Sequence, residues 1–232
     1  GLPTIDTTTK RSGVAALRAN PTATTAFIHH QFAASGNTAK VYVRCYLYIT
    51  TATDALDAII RLVDAGYASA SIRMNSNRTL ELWNDDGGVQ LGSDSSALNT
   101  GQWYRIELLY DGPTTNTLRA YIDGTQFATG TGSTIEENPN ALRVGAITST
   151  TCDLYFDDIA INDDSGSSQT GLPGAGSIVH MHPTAAGDAA ATTGLFSAVD
   201  EVTPNDATDY IEVDTIKEVD YNFETSANAG VG

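Results

Sequence analysis

Apolar and polar residues alternate along most of the first 162 residues, and this alternation predicts β-strands. The clearest case is KVYVRCYLYIT at residues 40–50, where the valines, Cys45, Leu47 and Ile49 share one side. Successive side chains of a strand point to opposite faces, so this side is the expected core side. Further strands are predicted at residues 14–18, 27–32, 57–63, 68–74, 79–83, 89–91, 103–110, 117–122, 141–147 and 152–161.

The segment 101–124, GQWYRIELLYDGPTTNTLRAYIDG, is predicted to be a β-hairpin. Its first strand ends at Asp111-Gly112-Pro113, which has the residue types of a turn. Its second strand ends at Asp123-Gly124, a second tight turn. Within this hairpin, Trp103 and Tyr121 are expected to point into the core.

Composition favours an all-β protein and excludes two classes of partner. Hydrophobic residues make up 41% of the 232 residues, and turn-forming residues are abundant. The net charge of −16 with only 12 Lys and Arg residues argues against nucleic acid and against anionic membrane surfaces. Cys45 and Cys152 are predicted to be buried free thiols, in preference to a disulfide.

Several of these strands carry a family resemblance. The Trp103 strand, the Tyr-Asp-Gly turn at residues 110–112, Leu-Arg-Val-Gly at 142–145 and Leu-Tyr-Phe-Asp-Asp-Ile at 154–159 resemble laminin G-like or concanavalin A-like jelly rolls. The resemblance covers about residues 14–162 and implies a sandwich of two curved antiparallel sheets. The expected fold is therefore an all-β, concanavalin A-like jelly roll with a small C-terminal β-rich extension. The expected domains are a jelly roll at 1–163, a Gly/Ser/Asp-rich linker at 164–176 and an attachment segment at 177–232.

A second resemblance combines the two halves of the chain. Phe-Asp-Asp-Ile at 156–159, Pro-Thr-x-x-Gly-Asp at 183–188, Val-Asp-Glu at 199–201 and Asp-x-Thr-x-Tyr-Ile at 206–211 resemble a pattern in virion proteins of tailed phages and related archaeal viruses. An aromatic residue usually precedes the Val-Asp-Glu step, and Leu195-Phe196 matches it only loosely. The resemblance implies a non-enzymatic virion structural protein, a capsid decoration or tail-associated accessory protein. It implies an extracellular particle as the location, with other virion proteins and further copies of the chain as partners.

Four aromatic residues are candidates for carbohydrate binding: Tyr42, Tyr46, Tyr48 and Trp83. The tyrosines alternate along one strand and so share a face, and aromatic rings stack on sugar rings. Host surface glycans would then be the ligands of a glycan-binding module. The alternative is that these tyrosines form the half-covered outer face of a curved sheet.

The sequence lacks a recognisable catalytic constellation. A retaining glycosidase needs two carboxylates about 5–5.5 Å apart, and the Glu-x-Asp-x-x-Glu pattern of concanavalin A-like glucanases does not occur. Glu81 and Asp85 come nearest to it, and Glu81 is expected to be an outward polar residue. Asp157 and Asp158 are expected to point to opposite faces, one into solvent and one capping a loop. A glycoside hydrolase therefore ranks third among the functions.

No cofactor or metal is predicted, although the residues leave calcium open. Asp85-Asp86 and residues 162–164 are rich in the oxygen ligands that calcium prefers. His180 and His182 lie two apart on a predicted strand and could provide two zinc ligands. Two polar residues on an outer face explain this spacing more simply.

Overall fold

The structure is a computed structural model that describes residues 2–32, 40–64, 67–132, 138–164 and 170–178, together with the backbone of two short strands at 183–186 and 221–223. The chain divides into two compact units, Gly1–Gly176 and Ser177–Gly232. Within the described part of the chain, no helix has the length and hydrophobicity needed to cross a membrane.

The described residues of the first unit form two antiparallel sheets. Their strands are β1 Thr4–Asp6, β2 Ala16–Ala19, β3 Thr24–Gln31, β4 Lys40–Thr51, β5 Asp57–Asp64, β6 Tyr67–Met74, β7 Leu80–Asn84, β8 Val89–Leu91, β9 Trp103–Asp111, β10 Thr117–Ile122, β11 Thr125–Thr131, β12 Ala141–Thr150 and β13 Asp153–Asn162. Among the described residues, sheet A has seven strands in the order β1-β2-β13-β4-β9-β10-β11, and sheet B has six in the order β3-β12-β5-β6-β7-β8. This arrangement confirms the predicted all-β sandwich, and every predicted strand up to residue 161 is present.

The core lies between the two sheets and follows the predicted alternation. On β4, Val41, Val43, Cys45, Leu47 and Ile49 are all fully buried, which confirms their assignment to the core side. Each large apolar side chain buried in this way contributes about 1.5–3 kcal/mol relative to an exposed one. The largest fully buried side chains of the core are Tyr110, Phe156, Leu47, Ile49, Ile59, Ile60, Leu62, Ile72, Met74, Leu80, Leu82 and Ile106.

The predicted hairpin is present, but its aromatic residues were assigned to the wrong face. A single helical turn, α1 Gly112–Thr115, joins β9 to β10. Trp103 lies opposite Tyr48 on β4, and Tyr121 lies opposite Glu107 on β9. Both are half-buried on the outer face of sheet A. The prediction failed because Tyr104, Ile106, Leu108 and Tyr110 form the core side of β9.

The prediction that Asp157 and Asp158 point to opposite faces is also wrong. The pairing of β13 with β4 shifts between Asp157 and Ala160, and Asp158 has a left-handed backbone with φ of 47°. Such a β-bulge breaks the alternation of side chains. Both carboxylates are buried, and both bind Arg11 and Ser12 of the N-terminal loop.

The two cysteines are buried thiols that form no disulfide with each other, as predicted. Cys45 lies in the core on β4, and Cys152 directly precedes β13. Burial raises the pKa of each thiol to about 12. Neither residue therefore carries a reactive thiolate at neutral pH.

In the second unit, strand β14 Pro183–Ala186 pairs in an antiparallel manner with β15 Tyr221–Phe223. The sequence predicts a strand that carries His180 and His182, whereas β14 begins after it, at Pro183. His180, His182 and the virion-like motifs at 199–201 and 206–211 lie outside the described residues.

Candidate functional site

The four aromatic candidates lie on two different faces of the sandwich. Tyr42, Tyr46 and Tyr48 lie on the outer face of sheet A, where their alternation on β4 places them. Trp83 lies on β7, on the outer face of sheet B. The structure therefore brings the tyrosines together but separates Trp83 from them.

Tyr46, the central tyrosine, is covered by other parts of the same unit. Only 7% of Tyr46 is exposed. The guanidinium carbon of Arg11 lies 3.5 Å from the centroid of its ring. The backbone N–H of Gly176 donates a hydrogen bond of 3.4 Å to its hydroxyl oxygen. The middle of the tyrosine face is thus occupied by residues of the chain itself.

Further hydrogen bonds hold the segment 171–176, which we call the strap, on this face. Asn162 Nδ2 donates to the carbonyl of Gly171 at 2.6 Å. Arg44 Nη1 donates to the carbonyl of Gly174 at 3.2 Å, and the Gly174 N–H donates to Glu107 Oε1 at 2.9 Å. The strap thereby adds hydrogen bonds to the buried Arg44 and Glu107, which also bind Asp158 and Arg105, respectively.

At one end of the tyrosine face, Tyr48 belongs to a short row of aromatic rings. The rings of Tyr48 and Trp103 are 5.3 Å apart, and those of Tyr48 and Tyr155 are 5.9 Å apart with edge-to-face geometry. The Arg18 guanidinium lies 5.3 Å from the Tyr155 ring and forms a bidentate pair with Asp153 at 2.8 and 2.9 Å. That hydrogen-bonded pair is the main cause of the raised pKa of Arg18. The rings largely contact one another, which favours a structural role.

The outer face of sheet B carries a more complete arrangement. Six residues, one from each strand, lie directly opposite one another across the whole sheet. At about 4.8 Å between strands, this row is roughly 24 Å long. We call it the polar row, and its members in order are His29, Arg143, Arg61, Ser71, Trp83 and Gln90.

Trp83 is held rigidly in this row. Its indole N–H donates a hydrogen bond of 2.6 Å to Glu81 Oε2. The other oxygen of Glu81 accepts a hydrogen bond from Asn75. The Arg73 guanidinium lies 4.0 Å from the indole ring, a distance at which cation–π attraction is effective. A half-buried indole with a fixed orientation provides a preformed aromatic surface.

Asp85 connects the arginines of this face. Its side chain is only 2% exposed and forms ion pairs with Arg73 and, at 3.3 Å, with Arg61. Ser71 donates a further hydrogen bond of 2.9 Å to the same carboxylate. The Glu81 and Asp85 carboxylates are therefore both engaged by neighbouring donors.

Arg61 lies in an unfavourable electrostatic environment. Burial is the largest cause that lowers its pKa, and the nearby charges of Arg73 and Arg143 lower it further, against the opposing effect of Asp85. Its Nε and the facing Asp85 Oδ2 are both buried without a hydrogen-bond partner among the described residues. Arg143, directly opposite, donates instead to His29 Nδ1 at 3.3 Å. Two like charges placed opposite each other across a sheet are destabilising.

Some of the residues named as possible calcium ligands have other partners. Asp85 pairs with arginines, and Asp164 lies 3.8 Å from the Lys40 ammonium. Across the described ranges, no group of three or more His, Cys, Asp or Glu side chains is placed to hold a metal ion.

Of the polar row, only Trp83 was singled out from the sequence. The alternation on each strand gives the outward residues, and Arg61, Arg143 and His29 are outward by that criterion. Their meeting in one row depends on the register of five strand pairs and on the strand order, which no local pattern specifies.

The two sheets, their order and the core between them define a concanavalin A-like sandwich. Residues 20–170 match the model of the concanavalin A-like lectin/glucanases superfamily, and the chain belongs to this family. No curated protein matches the sequence.

Two solved structures are similar to this chain in fold. The cellulose-induced protein Cip1 is 18% identical, with a TM-score of 0.56 and coverage of 74% of this chain and 88% of Cip1. The globular domain of T. cruzi calreticulin is 13% identical, with a TM-score of 0.52 and coverage of 70% of this chain and 79% of that domain. At these identities, the likeness concerns the fold alone.

Proposed function

We propose that this protein is a non-catalytic carbohydrate-binding protein whose ligand lies along the polar row on the outer face of sheet B. The observation that carries the proposal is the in-register alignment of six side chains across the whole sheet. Trp83 adds an aromatic ring, and Ser71 is fully buried and bonded to Asp85. The other four members present polar groups on this face. A site of this length suits an oligosaccharide better than a single sugar.

The partners of the two carboxylates support a binding role over hydrolysis. A retaining glycosidase needs one carboxylate as the nucleophile and one protonated carboxyl group as the acid. Glu81 accepts hydrogen bonds from Trp83 and Asn75, and Asp85 is paired with Arg61 and Arg73. In this interpretation, the two carboxylates orient the aromatic and cationic groups.

Membership of a family of lectins and glucanases also supports a carbohydrate ligand. The covered state of Tyr46 favours sheet B over the predicted tyrosine platform as the binding face. Tyr42 and Tyr48 remain the residues of the rival site on sheet A.

A binding screen with matched variants tests this proposal. The protein is applied to a glycan array, and the affinity for each hit is measured by calorimetry. Trp83→Ala should weaken binding at least about tenfold, since an aromatic residue of this kind contributes 1.4 kcal/mol or more when it stacks on a ligand. Tyr48→Ala on sheet A is the control and should bind as the wild type does. The proposal would be contradicted if Tyr48→Ala lost binding while Trp83→Ala kept it, or if no glycan on the array bound the wild-type protein.

We also propose a setting for this binding, namely display on a virion. The supporting observation is the combined sequence pattern at 156–159, 183–188, 199–201 and 206–211. In this setting, the first unit presents the polar row to host surface glycans, while the second unit attaches to other virion proteins. Mass spectrometry and imaging of purified particles test it, because a chain absent from the particles is not a virion component.

A further inference from the structure

We propose that the polar row selects saccharides that carry carboxylate groups, such as oligomers of uronic acids. This inference rests on the proposed carbohydrate-binding function and specifies its ligand class. The groups that would recognise the carboxylates are Arg61 and Arg143, with Arg73 beside them.

The distribution of charge supports an anionic ligand. The chain carries a net charge of −16 and has only 12 Lys and Arg residues, yet three of these lie together on this face. The acidic side chains that bind members of this face, Glu81, Asp85 and Asp94, lie on or beyond β7, whereas Arg61 and Arg143 lie together on β5 and β12. An acidic protein repels anionic ligands at long range, so a local group of arginines is needed to admit one.

The pairing of Arg61 with Arg143 points to the place of the carboxylate. The two residues are direct neighbours on β5 and β12, where like charges destabilise a sheet. Asp85 approaches Arg61 from the β7 side, and Asp57 acts on it from the same strand, β5. A carboxylate bound on the β12 side would neutralise the repulsion between the two guanidinium groups and would accept hydrogen bonds from them. The planar guanidinium group suits this role because its donors match the two oxygens of a carboxylate.

His29 and Trp83 extend the same site in opposite directions. His29 Nδ1 accepts a hydrogen bond from Arg143, so the neutral ring carries its proton on Nε2. His29 is exposed, and this N–H is a donor for a sugar hydroxyl group or a second carboxylate. On the other side of Arg61, the Trp83 indole supplies the apolar surface for the sugar ring that carries the acid.

The experiment compares acidic oligosaccharides with neutral oligosaccharides of the same sugars. The probes are tetrasaccharides of glucuronic, galacturonic and mannuronic acid, each paired with its carboxyl-reduced counterpart. The wild-type protein should bind at least one acidic probe about tenfold or more tightly than its reduced counterpart, as expected for charge-assisted hydrogen bonds. The variant Arg143→Gln should bind the acidic probe and its reduced counterpart with about equal affinity, because it lacks the charge that distinguishes them.

Two further variants separate specific recognition from general effects. Arg119→Gln removes the same charge from an exposed position on β10 of sheet A and should retain the preference. Arg61→Gln should also lose the preference for the acidic probe. Because Arg61 is half-buried, thermal unfolding of Arg61→Gln and Arg143→Gln is measured to check that both variants are folded. An equal loss in Arg119→Gln and Arg143→Gln would overturn the inference.

The outcomes also separate this inference from the proposed function. If the acidic and reduced probes bind equally well and binding depends on Trp83, carbohydrate binding stands and the selection of carboxylates is wrong. If neither acidic nor neutral glycans bind, both proposals fail.

Discussion

Arg11 and Asp158 form an ion pair that fixes the N-terminal loop to the outer face of sheet A, with Nη1 and Oδ2 2.5 Å apart and the Asp158 side chain only 1% exposed. The same guanidinium group stacks on Tyr46 and donates to the carbonyl of Gly176 at 2.8 Å. One pair of residues therefore connects the N-terminal loop, strand β13 and the strap, and it keeps Tyr46 covered.

Replacing Asp158 should destabilise the sandwich. Asp158→Asn removes the charge but keeps a residue type that tolerates the positive φ of 47°. We expect the free energy of unfolding to fall by about 2 kcal/mol, because Asp158 accepts charge-assisted hydrogen bonds in a buried position. Urea denaturation measures the change. Asp86→Asn, at an exposed turn, is the control, and equal stabilities of the two variants would contradict the role given to the pair.

The close approach of β3 and β12 predicts a sensitive glycine. Gly145 has φ of 135°, and a Cβ atom there would lie 2.7 Å from the Cα of Phe27. Gly145→Ala should lower the free energy of unfolding by about 3 kcal/mol through strain and overlap. Gly171→Ala is the matched control, since a Cβ atom at Gly171 meets nothing within 4 Å. Thermal denaturation measures the stability of both variants. A Gly145→Ala protein as stable as Gly171→Ala would show that β3 and β12 can move apart to accommodate a Cβ atom.

The pKa of Asp57 should lie above the ordinary Asp value of 3.8, and the pKa of Asp54 should lie below it. Burial raises the pKa of Asp57, whereas the hydrogen bond from the Thr151 N–H is the main cause of the lowered pKa of Asp54. The contribution of Asp57 to the free energy of unfolding is therefore fully present below pH 3.8 and is lost as the pH rises through the folded-state pKa of Asp57. That linked to Asp54 is present above pH 3.8 and is lost as the pH falls through its folded-state pKa.

Carbon-13 NMR of the side-chain carboxyl groups measures both titrations directly. Asp57→Asn assigns its resonance, and the stability of this variant relative to the wild type should rise as the pH increases from 3.8. If both groups titrate on the same side of that value, the assignment of burial and hydrogen bonding at this end of β12 is wrong.

The two thiols should be unreactive in the folded protein. Burial raises the pKa of Cys45 and Cys152 to about 12, so the thiolate fraction at pH 8 is negligible and access is blocked. Ellman's reagent should detect no thiol in native buffer and two per chain in guanidinium chloride. Rapid labelling in native buffer would mean that the sandwich opens at β4 or β13.

The sequence predicted the strands well because alternation is a local property. The core side of β4 and the bounds of most strands followed from it. On β9 the alternation holds, but Trp103 was assigned to the wrong side, because the row of Tyr104, Ile106, Leu108 and Tyr110 takes the core side. Alternation itself failed at Asp158, where a bulge with a left-handed backbone turns two adjacent carboxylates toward the same loop.

The candidate site was less predictable because it depends on contacts that are distant in sequence. Trp83 was singled out as an aromatic residue, but Arg61, Arg143 and His29 join it only through strand pairing. In the same way, the cover on Tyr46 comes from Arg11 and Gly176, each far from β4 in the sequence.

The most direct test of the central claim uses the two tryptophans of the chain, which lie on opposite outer faces of the sandwich. In Trp103→Phe, Trp83 is the only tryptophan, and a bound oligosaccharide should change its fluorescence in a saturable manner. In Trp83→Phe, the emission of Trp103 should not respond to the same oligosaccharide. A saturable response of Trp103 in Trp83→Phe, with none in Trp103→Phe, would place the ligand on sheet A and contradict the account.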